Sequence, residues 1–535
     1  MSWLAPSRSP RASRPVSLAV EILFAAALGA LHSQAFAHTG AWWVQMLALV
    51  LLAWRVIPAG TARAAVIGLV FGTVWLAAST WWMYISLHDF GGLAAWMAAL
   101  AVGLLCALLS LYLAGAMALF AKRRRHRILP DSLIFAAVWL LAELARGALF
   151  TGFPWAAAGY AHTSGPLAPL APLVGVYGIG FASALVAALV AHALTAVAKG
   201  AARPASFVPA ALAMIAVAAV GIAGPIRFSN ATGMLSLTLL QTNVAQDEKF
   251  SAERMPAALD WLSSQLLSAK GDLVVAPETA IPLLPDQLAP QYWLPLLKHF
   301  HEGRQSALIG MPLGDIDKGY TNSAVGIARA TASMGSASSG DAGIYRYDKH
   351  HLVPFGEFIP LGFRWFVDLM NIPLGDFARG PLAAPSFPVG TERIAPNICY
   401  EDLFGEELAA RFVDASKAPT LFVNISNIAW FGNTVALHQH EEISRMRTLE
   451  FQRPMVRATN TGMTVVIDHA GVAQARLAPY TLGALNASVQ GRQGITPFAY
   501  WAGVAGLWPL LLLALLIVGW PRRKIAAGPG RGATP

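Results

Sequence analysis

The chain has 535 residues, of which 56% are apolar and only 13% charged, and its formal net charge is +9. Soluble domains carry roughly 25% charged residues, so an ordinary cytosolic enzyme and a disordered chain are both excluded. Two cysteines, Cys106 and Cys399, leave no disulfide framework, and the length exceeds one core and suits two units.

Seven apolar stretches near the roughly 20 residues that a bilayer requires precede residue 228: 17–36, 41–58, 65–86, 92–121, 132–150, 174–197 and 206–226. An eighth runs from about Tyr500 to Trp520. The first reads as a retained span rather than a cleaved signal, because its apolar run is long and six more follow. The Pro-rich stretch Gly165–Val174 suits an interfacial position ahead of the sixth span. Glu143 and Arg146 stand three residues apart inside the fifth, a spacing that pairs them on one helix face.

The charges follow this division. Residues 1–227 hold 14 Lys+Arg and four acids, whereas 228–499 hold 20 Lys+Arg and 25 acids. The basicity therefore belongs to the apolar parts, which points to membrane topology and not to nucleic-acid binding. Bases fall on alternate sides of the spans: Arg8, Arg11 and Arg14; Arg55 and Arg63; Lys122–Arg127; Lys199 and Arg203; Arg522, Arg523 and Lys524. The positive-inside rule then puts both termini in the cytoplasm and residues 228–499 outside it. The expected organisation is a membrane domain over 1–227, an extracytoplasmic domain over 228–499, and a last span with a basic tail over 500–535.

From Met234 short β-rich runs alternate with helical stretches at Ala252–Ala269, Asp286–Phe300, Gly405–Asp414 and about Leu437–Phe451, the pattern of α/β layers. The small, polar segment 330–343 reads as a flexible loop. Three polar residues occupy unusual settings: Glu278 ends the apolar run "LVVAPE", Cys399 ends "IAPNIC", and Lys349 lies in "YRYDKHHLVPFGEFIP". A carboxylate directly after a buried strand is costly unless used or paired. Together the three supply a base, a cation for an oxyanion and a nucleophile. His350 and His351 adjoin Lys349, but the glutamate makes a Cys–His pair unnecessary. His438 and His440, two apart on a helix, point in different directions and make a poor zinc pair.

The ordered motifs "APETAIP", "YDKHHLVPFGEFIP" and "NICYEDLF" resemble the Glu–Lys–Cys signatures of the carbon–nitrogen hydrolase (nitrilase) superfamily. With seven spans before and one after, the chain resembles the apolipoprotein N-acyltransferase family over nearly its whole length. The resemblance implies a polytopic α-helical membrane domain plus an α-β-β-α sandwich. It implies Glu278 as general base, Lys349 as oxyanion holder and Cys399 as nucleophile, with Glu357, Tyr400 and Glu401 in support. Trp430 and Phe431 in "NISNIAWFG", together with Phe250, Phe363 and Trp365, become lipid contacts, the last two on an apolar arm over 352–375.

The implied reaction is ping-pong. An acyl chain passes from a membrane phospholipid, typically from sn-1 in this family, to Cys399. It then moves to the α-amino group of an apolipoprotein's diacylglyceryl-cysteine. The implied setting is the bacterial inner membrane with a periplasmic catalytic domain. The implied protein is a monomer without metal, cofactor or nucleic-acid partner. Two positions depart from the family pattern: Ile428 stands where Asp is common, and Phe250 where Trp is. A membrane-tethered amidase or nitrilase-type hydrolase is the alternative, since the same three residues serve water equally well.

Overall fold

The computed structural model describes residues 17–200, 203–315, 319–329, 344–367 and 376–521. The expected loop at 330–343, part of the arm over 352–375, and Arg8, Arg11, Arg14, Arg522, Arg523 and Lys524 lie wholly or in part outside these residues.

Seven apolar helices open the chain: α1 (Leu18–Ser33), α2 (Trp42–Val56), α3 (Thr61–Thr80), α4 (Ala95–Arg123), α5 (Ile128–Ala148), α6 (Ala171–Ala198) and α7 (Pro204–Ala223). All except α2 are long and apolar enough to cross a bilayer. The second expected span is shorter than the sequence suggests, because α2 has 15 residues. At 1.5 Å per residue it covers about 22 Å of a hydrocarbon core near 30 Å. Pro58 explains its end, since proline has no amide N–H to carry the helical hydrogen bonds beyond Ile57. Inside α5, Glu143 and Arg146 pair at 3.9 Å, as their spacing predicts. They also hold the loop that follows the helix: Glu143 Oε1 accepts from the Ala158 amide at 2.6 Å, and Arg146 Nη1 donates to the Trp155 carbonyl at 2.6 Å.

Among the described residues the second part holds twelve strands. They are β1 (Ser229–Gln241), β2 (Leu273–Val275), β3 (Ser306–Asp315), β4 (Gly319–Ile327), β5 (Ile344–Asp348), β6 (Phe387–Val389), β7 (Glu392–Ile398), β8 (Leu421–Ser426), β9 (Met455–Thr459), β10 (Val465–Ile467), β11 (Ala473–Arg476) and β12 (Gly483–Gly494). They form two six-stranded sheets, in the orders β12-β1-β2-β3-β4-β5 and β11-β10-β9-β8-β7-β6. Each sheet has a parallel centre, β1-β2-β3 or β7-β8-β9, with antiparallel neighbours on its flanks.

Helices α8 (Met255–Ser268) and α9 (Pro290–Glu302) lie beyond the first sheet, and α10 (Val435–Phe451) lies beyond the second. Strand alternation assigns the faces. Leu237, Leu239, Leu273, Val275 and Leu308 point inward to meet Ile394, Ile398, Val423 and Ile425 of the other sheet. Leu240, Val274 and Ile309 point outward onto Leu262, Leu266, Leu296 and Phe300 of α8 and α9. The central strands are covered on both faces and therefore read as continuous apolar runs. The α-β-β-α sandwich that the resemblance implies is the fold observed.

The last apolar segment is not one straight span. Helices α11 (Pro497–Ala505) and α12 (Trp508–Gly519) meet at 87°. Gly506, at φ 56°, makes the break in a conformation that favours glycine. The aromatic end of α11 packs on the sandwich through Phe498, beside Phe451 and Phe412.

Candidate active site

The three motif residues all follow strands of the two parallel centres or their flanks: Glu278 after β2, Lys349 after β5, and Cys399 after β7. Strand ends in such sheets are where side chains converge on a crevice. The structure brings Glu278 and Lys349 into one buried cluster with Glu357, and places Cys399 within their electrostatic reach.

Lys349 is 1% exposed. Its Nζ donates to Glu357 Oε1 at 2.9 Å and lies 3.5 Å from Glu278 Oε1. Burial alone would lower its pKa, but the Glu357 and Glu278 carboxylates more than reverse this, so the ammonium stays charged. Asn322 on β4 shares its amide between both carboxylates, at 2.7 Å to Glu278 Oε1 and 2.7 Å to Glu357 Oε1. The Asn427 backbone amide donates to Glu278 Oε2 at 2.8 Å, and the Val353 amide to Glu357 Oε2 at 2.8 Å. A buried carboxylate in such a setting is fully partnered, which is what tolerance of its charge demands.

Cys399 sits at φ 52°, in the left-handed region that ordinary residues avoid. Such a conformation costs on the order of 1–3 kcal/mol and persists only when its surroundings impose it. Its thiol pKa is raised to about 12, first by burial and then by the Glu278 charge, with Lys349 and the Ser426 hydroxyl opposing. A thiolate therefore does not stand ready at neutral pH. Its proton must leave as a bond forms, which requires a base in concert.

Glu401 joins the elements that carry Lys349 and Cys399. One oxygen accepts from the His350 amide at 2.7 Å and the His351 amide at 3.2 Å. The other accepts from the Ile398 amide at 2.7 Å and the Tyr347 hydroxyl at 2.7 Å. Burial raises its pKa, opposed by the Lys349 charge and by these donors. Glu401→Gln turns one oxygen into a donor that faces donors. The expected loss is about 1–3 kcal/mol of stability, read as a lower midpoint in thermal unfolding of the detergent-solubilised protein.

The remaining expected residues, Phe250 apart, lie at or near the junction with the membrane helices. Tyr400 donates its hydroxyl to the Gly152 carbonyl at 3.0 Å. Phe431 meets Trp82 with ring centres 4.2 Å apart, and Trp430 meets Phe90 at 5.6 Å. Both rings therefore dock onto the membrane domain. Phe363 and Trp365 are exposed, and Phe355 and Phe366 of the same arm pack with Leu93 and Ala98 at the start of α4. Phe250 is exposed on the loop between β1 and α8. His438 and His440 diverge: His438 faces Thr39, whereas His440 faces Asp402.

Sequence reasoning missed Asn322 and Lys249. Lys249 is buried and donates to the Glu278 carbonyl at 3.1 Å. Desolvation lowers its pKa to about 8, with the Glu278 charge opposing. The signal at Asn322 was slight: asparagine is depleted in strands, but its neighbours Thr321 and Ser323 are polar too. Lys249 carried none, because "QDEKF" reads as a solvated loop.

Comparison with known proteins gives two matching family models. One, for the apolipoprotein N-acyltransferase N-terminal domain, covers residues 28–189, and the other, for carbon–nitrogen hydrolases, covers 236–494. The apolipoprotein N-acyltransferase of Verminephrobacter eiseniae is 48% identical over 517 residues, spanning 92% of this chain and 94% of that protein. That of Ralstonia nicotianae is 45% identical over 509 residues, spanning 94% of each.

Proposed function

Because the chain belongs to the apolipoprotein N-acyltransferase family, we propose that Glu278, Lys349 and Cys399 carry its acyl transfer by a ping-pong route. It is an acyltransferase of bacterial membranes that acts on phospholipid and lipoprotein substrates. The observation that carries the residue assignment is the buried Lys349 ammonium, clasped by Glu357 and Glu278.

In the first half-reaction Glu278 takes the thiol proton as sulfur attacks the acyl ester. Lys349 stabilises the oxyanion that forms on the carbonyl oxygen of the ester. Collapse expels the lysophospholipid alkoxide, which takes the proton back from Glu278, and leaves the acyl group as a thioester. In the second, the α-amino group of the diacylglyceryl-cysteine attacks the thioester and yields its proton to Glu278. The amide forms, and sulfur leaves and recovers the proton. Each cycle returns Glu278 to the carboxylate, so one group serves as base and acid in turn. Glu357 balances Lys349, and Glu401 sets the two strands in register.

We place the sandwich on the outer face of the inner membrane, with both termini in the cytoplasm, from the distribution of basic residues. Both substrates then enter from the bilayer without leaving it. The alternative hydrolase needs the same three residues but no membrane domain, and the family membership argues against it.

The arm over 352–367, with Phe363 and Trp365 exposed where α4 begins, suits contact with acyl chains. Phe363→Ser combined with Trp365→Ser is expected to slow transfer from phosphatidylethanolamine at least about 100-fold more than reaction with a water-soluble thioester. Each buried aromatic ring contributes about 1.5–3 kcal/mol when it leaves water. Equal slowing of both donors would remove the lipid-contact role.

The test of the whole reading is mass spectrometry of the full-length protein. Phosphatidylethanolamine should leave a thioester on Cys399, and a diacylglyceryl-cysteine peptide should discharge it to an N-acyl peptide. A thioester that decays only to fatty acid would establish the hydrolase instead.

A further inference from the structure

The backbone of Cys399 is held from behind by groups that the reaction scheme does not use. The Cys399 carbonyl accepts from Asn424 Nδ2 at 3.2 Å, and His440 Nε2 lies 3.2 Å away on its other side. Arg457 Nη2 is 2.9 Å from His440 Nδ1. A guanidinium only donates, so Nδ1 accepts and the ring proton sits on Nε2. That proton faces two acceptors, the Cys399 carbonyl and Asp402 Oδ1, the latter at 3.0 Å. Asp402 is in turn fixed by Arg457 Nη1 at 3.0 Å and by the Ser444 hydroxyl. His440, Asp402, Ser444 and Arg457 are all buried.

The preceding residue ties the same helix to the membrane domain. Gln439 Oε1 accepts from the indoles of Trp155 at 2.7 Å and Trp82 at 3.1 Å, and its amide donates to the Ser79 carbonyl at 3.0 Å. One turn of α10 thus touches the spans on one side and the nucleophile's backbone on the other.

We infer that His440 is a positioning residue for the nucleophile: its Nε2–H clamps the Cys399 carbonyl, holds the residue in its left-handed conformation, and so aims the thiol at the incoming acyl carbon. Without the clamp, Asn424 remains the one partner of the carbonyl, so the sandwich survives while the peptide after Cys399 is held less tightly. Aim is what a transfer reaction loses first, since a misplacement near 1 Å costs about 100-fold.

The inference rests on the reading of Cys399 as the acyl acceptor, and the experiment separates the two. Full-length protein in detergent micelles is mixed with phosphatidylethanolamine, and the rate of acyl addition to Cys399 is followed by intact mass in a single turnover. Glutamine at 440 puts its amide nitrogen where Nε2 stands, whereas asparagine reaches only to Nδ1. His440→Gln is expected to acylate within about fivefold of the unaltered protein. His440→Asn is expected to be about 100-fold slower, with the donor concentration for half-maximal rate unchanged.

Equal rates for the two variants, or a loss confined to that concentration, would overturn the inference. If His440→Asn fails to fold, Ser444→Ala decides. It removes one donor to Asp402 and leaves the His440 ring beside the Cys399 carbonyl, so acylation should stay within about threefold, whereas a merely structural network predicts a loss beyond tenfold. No acyl adduct on the unaltered protein would instead overturn the assignment of Cys399 itself, before any variant is compared.

Discussion

Cys399→Ala is expected to abolish acyl capture from phosphatidylethanolamine, and Cys399→Ser to retain at most about a thousandth of the rate. The thiol is already held neutral, with its pKa pushed up to about 12 by burial and the Glu278 charge. A hydroxyl in the same place is a far weaker acid, so the base would have to complete a much harder proton transfer. Neither variant should unfold, because the substitution removes at most one heavy atom. Intact mass after incubation with the lipid reads the loss directly, and thermal unfolding checks the fold. An adduct that persists in Cys399→Ala would shift the nucleophile elsewhere. The same thiol gives a pH test without lipid. Below a pKa near 12 the thiolate fraction grows tenfold per pH unit, so alkylation of Cys399 by iodoacetamide should accelerate about tenfold from pH 7 to 8 and again to 9. A plateau near neutrality would mean a preformed thiolate and no need for Glu278 as base.

The candidate site was legible in the sequence where a polar residue ended an apolar strand. Glu278 after "LVVAP" and Cys399 after "IAPNI" stand out because the runs before them are buried on both faces, as β2 and β7 are. The partners that make the site work were less legible. Asn322 and Lys249 act on Glu278 across sheet neighbours and loops, and nothing in their local pattern announces contact with a residue tens of positions away. Strand β12 was missed for a different reason. "GALNASVQGRQG" is an edge strand with a largely exposed face, so its composition is polar and no apolar alternation marks it. The bend between α11 and α12 did leave a trace, Gly506 followed by Pro509, in a run whose hydropathy alone suggested one continuous span. The docking of Gln439 between Trp82 and Trp155 joins segments about 300 residues apart, and local patterning carries no information at that separation.

Lys349→Met is expected to remove activity and stability together, and the coupling between the two is the informative part. The ammonium is the cation against which two carboxylates were buried, 2.9 Å from Glu357 and 3.5 Å from Glu278. Those carboxylates share Asn322, so without Lys349 they face one another across a single amide. Removing one partner from a buried ionic cluster costs about 3–5 kcal/mol. The loss should depend on pH in a stated direction. In the unaltered protein Lys349 is held above its ordinary value; its contribution is complete below the unfolded lysine pKa near 10.4 and constant across neutral pH. In the variant, two like charges raise the affinity of one carboxyl for a proton, so the folded state binds a proton that the unfolded state does not. Stability then rises as pH falls from about 7.5 to 5.5, opposite to the trend for a paired carboxylate. Thermal unfolding at the two pH values measures this. Acyl capture should fall at least 100-fold at both, because protonating a carboxyl repairs the charge balance but restores no cation for the oxyanion. A variant that lost capture with no change in stability or its pH dependence would leave Lys349 as oxyanion holder but deny that the cluster is built around its charge. One that lost stability and regained capture at pH 5.5 would make the lysine structural and move the oxyanion contact to other donors of the site.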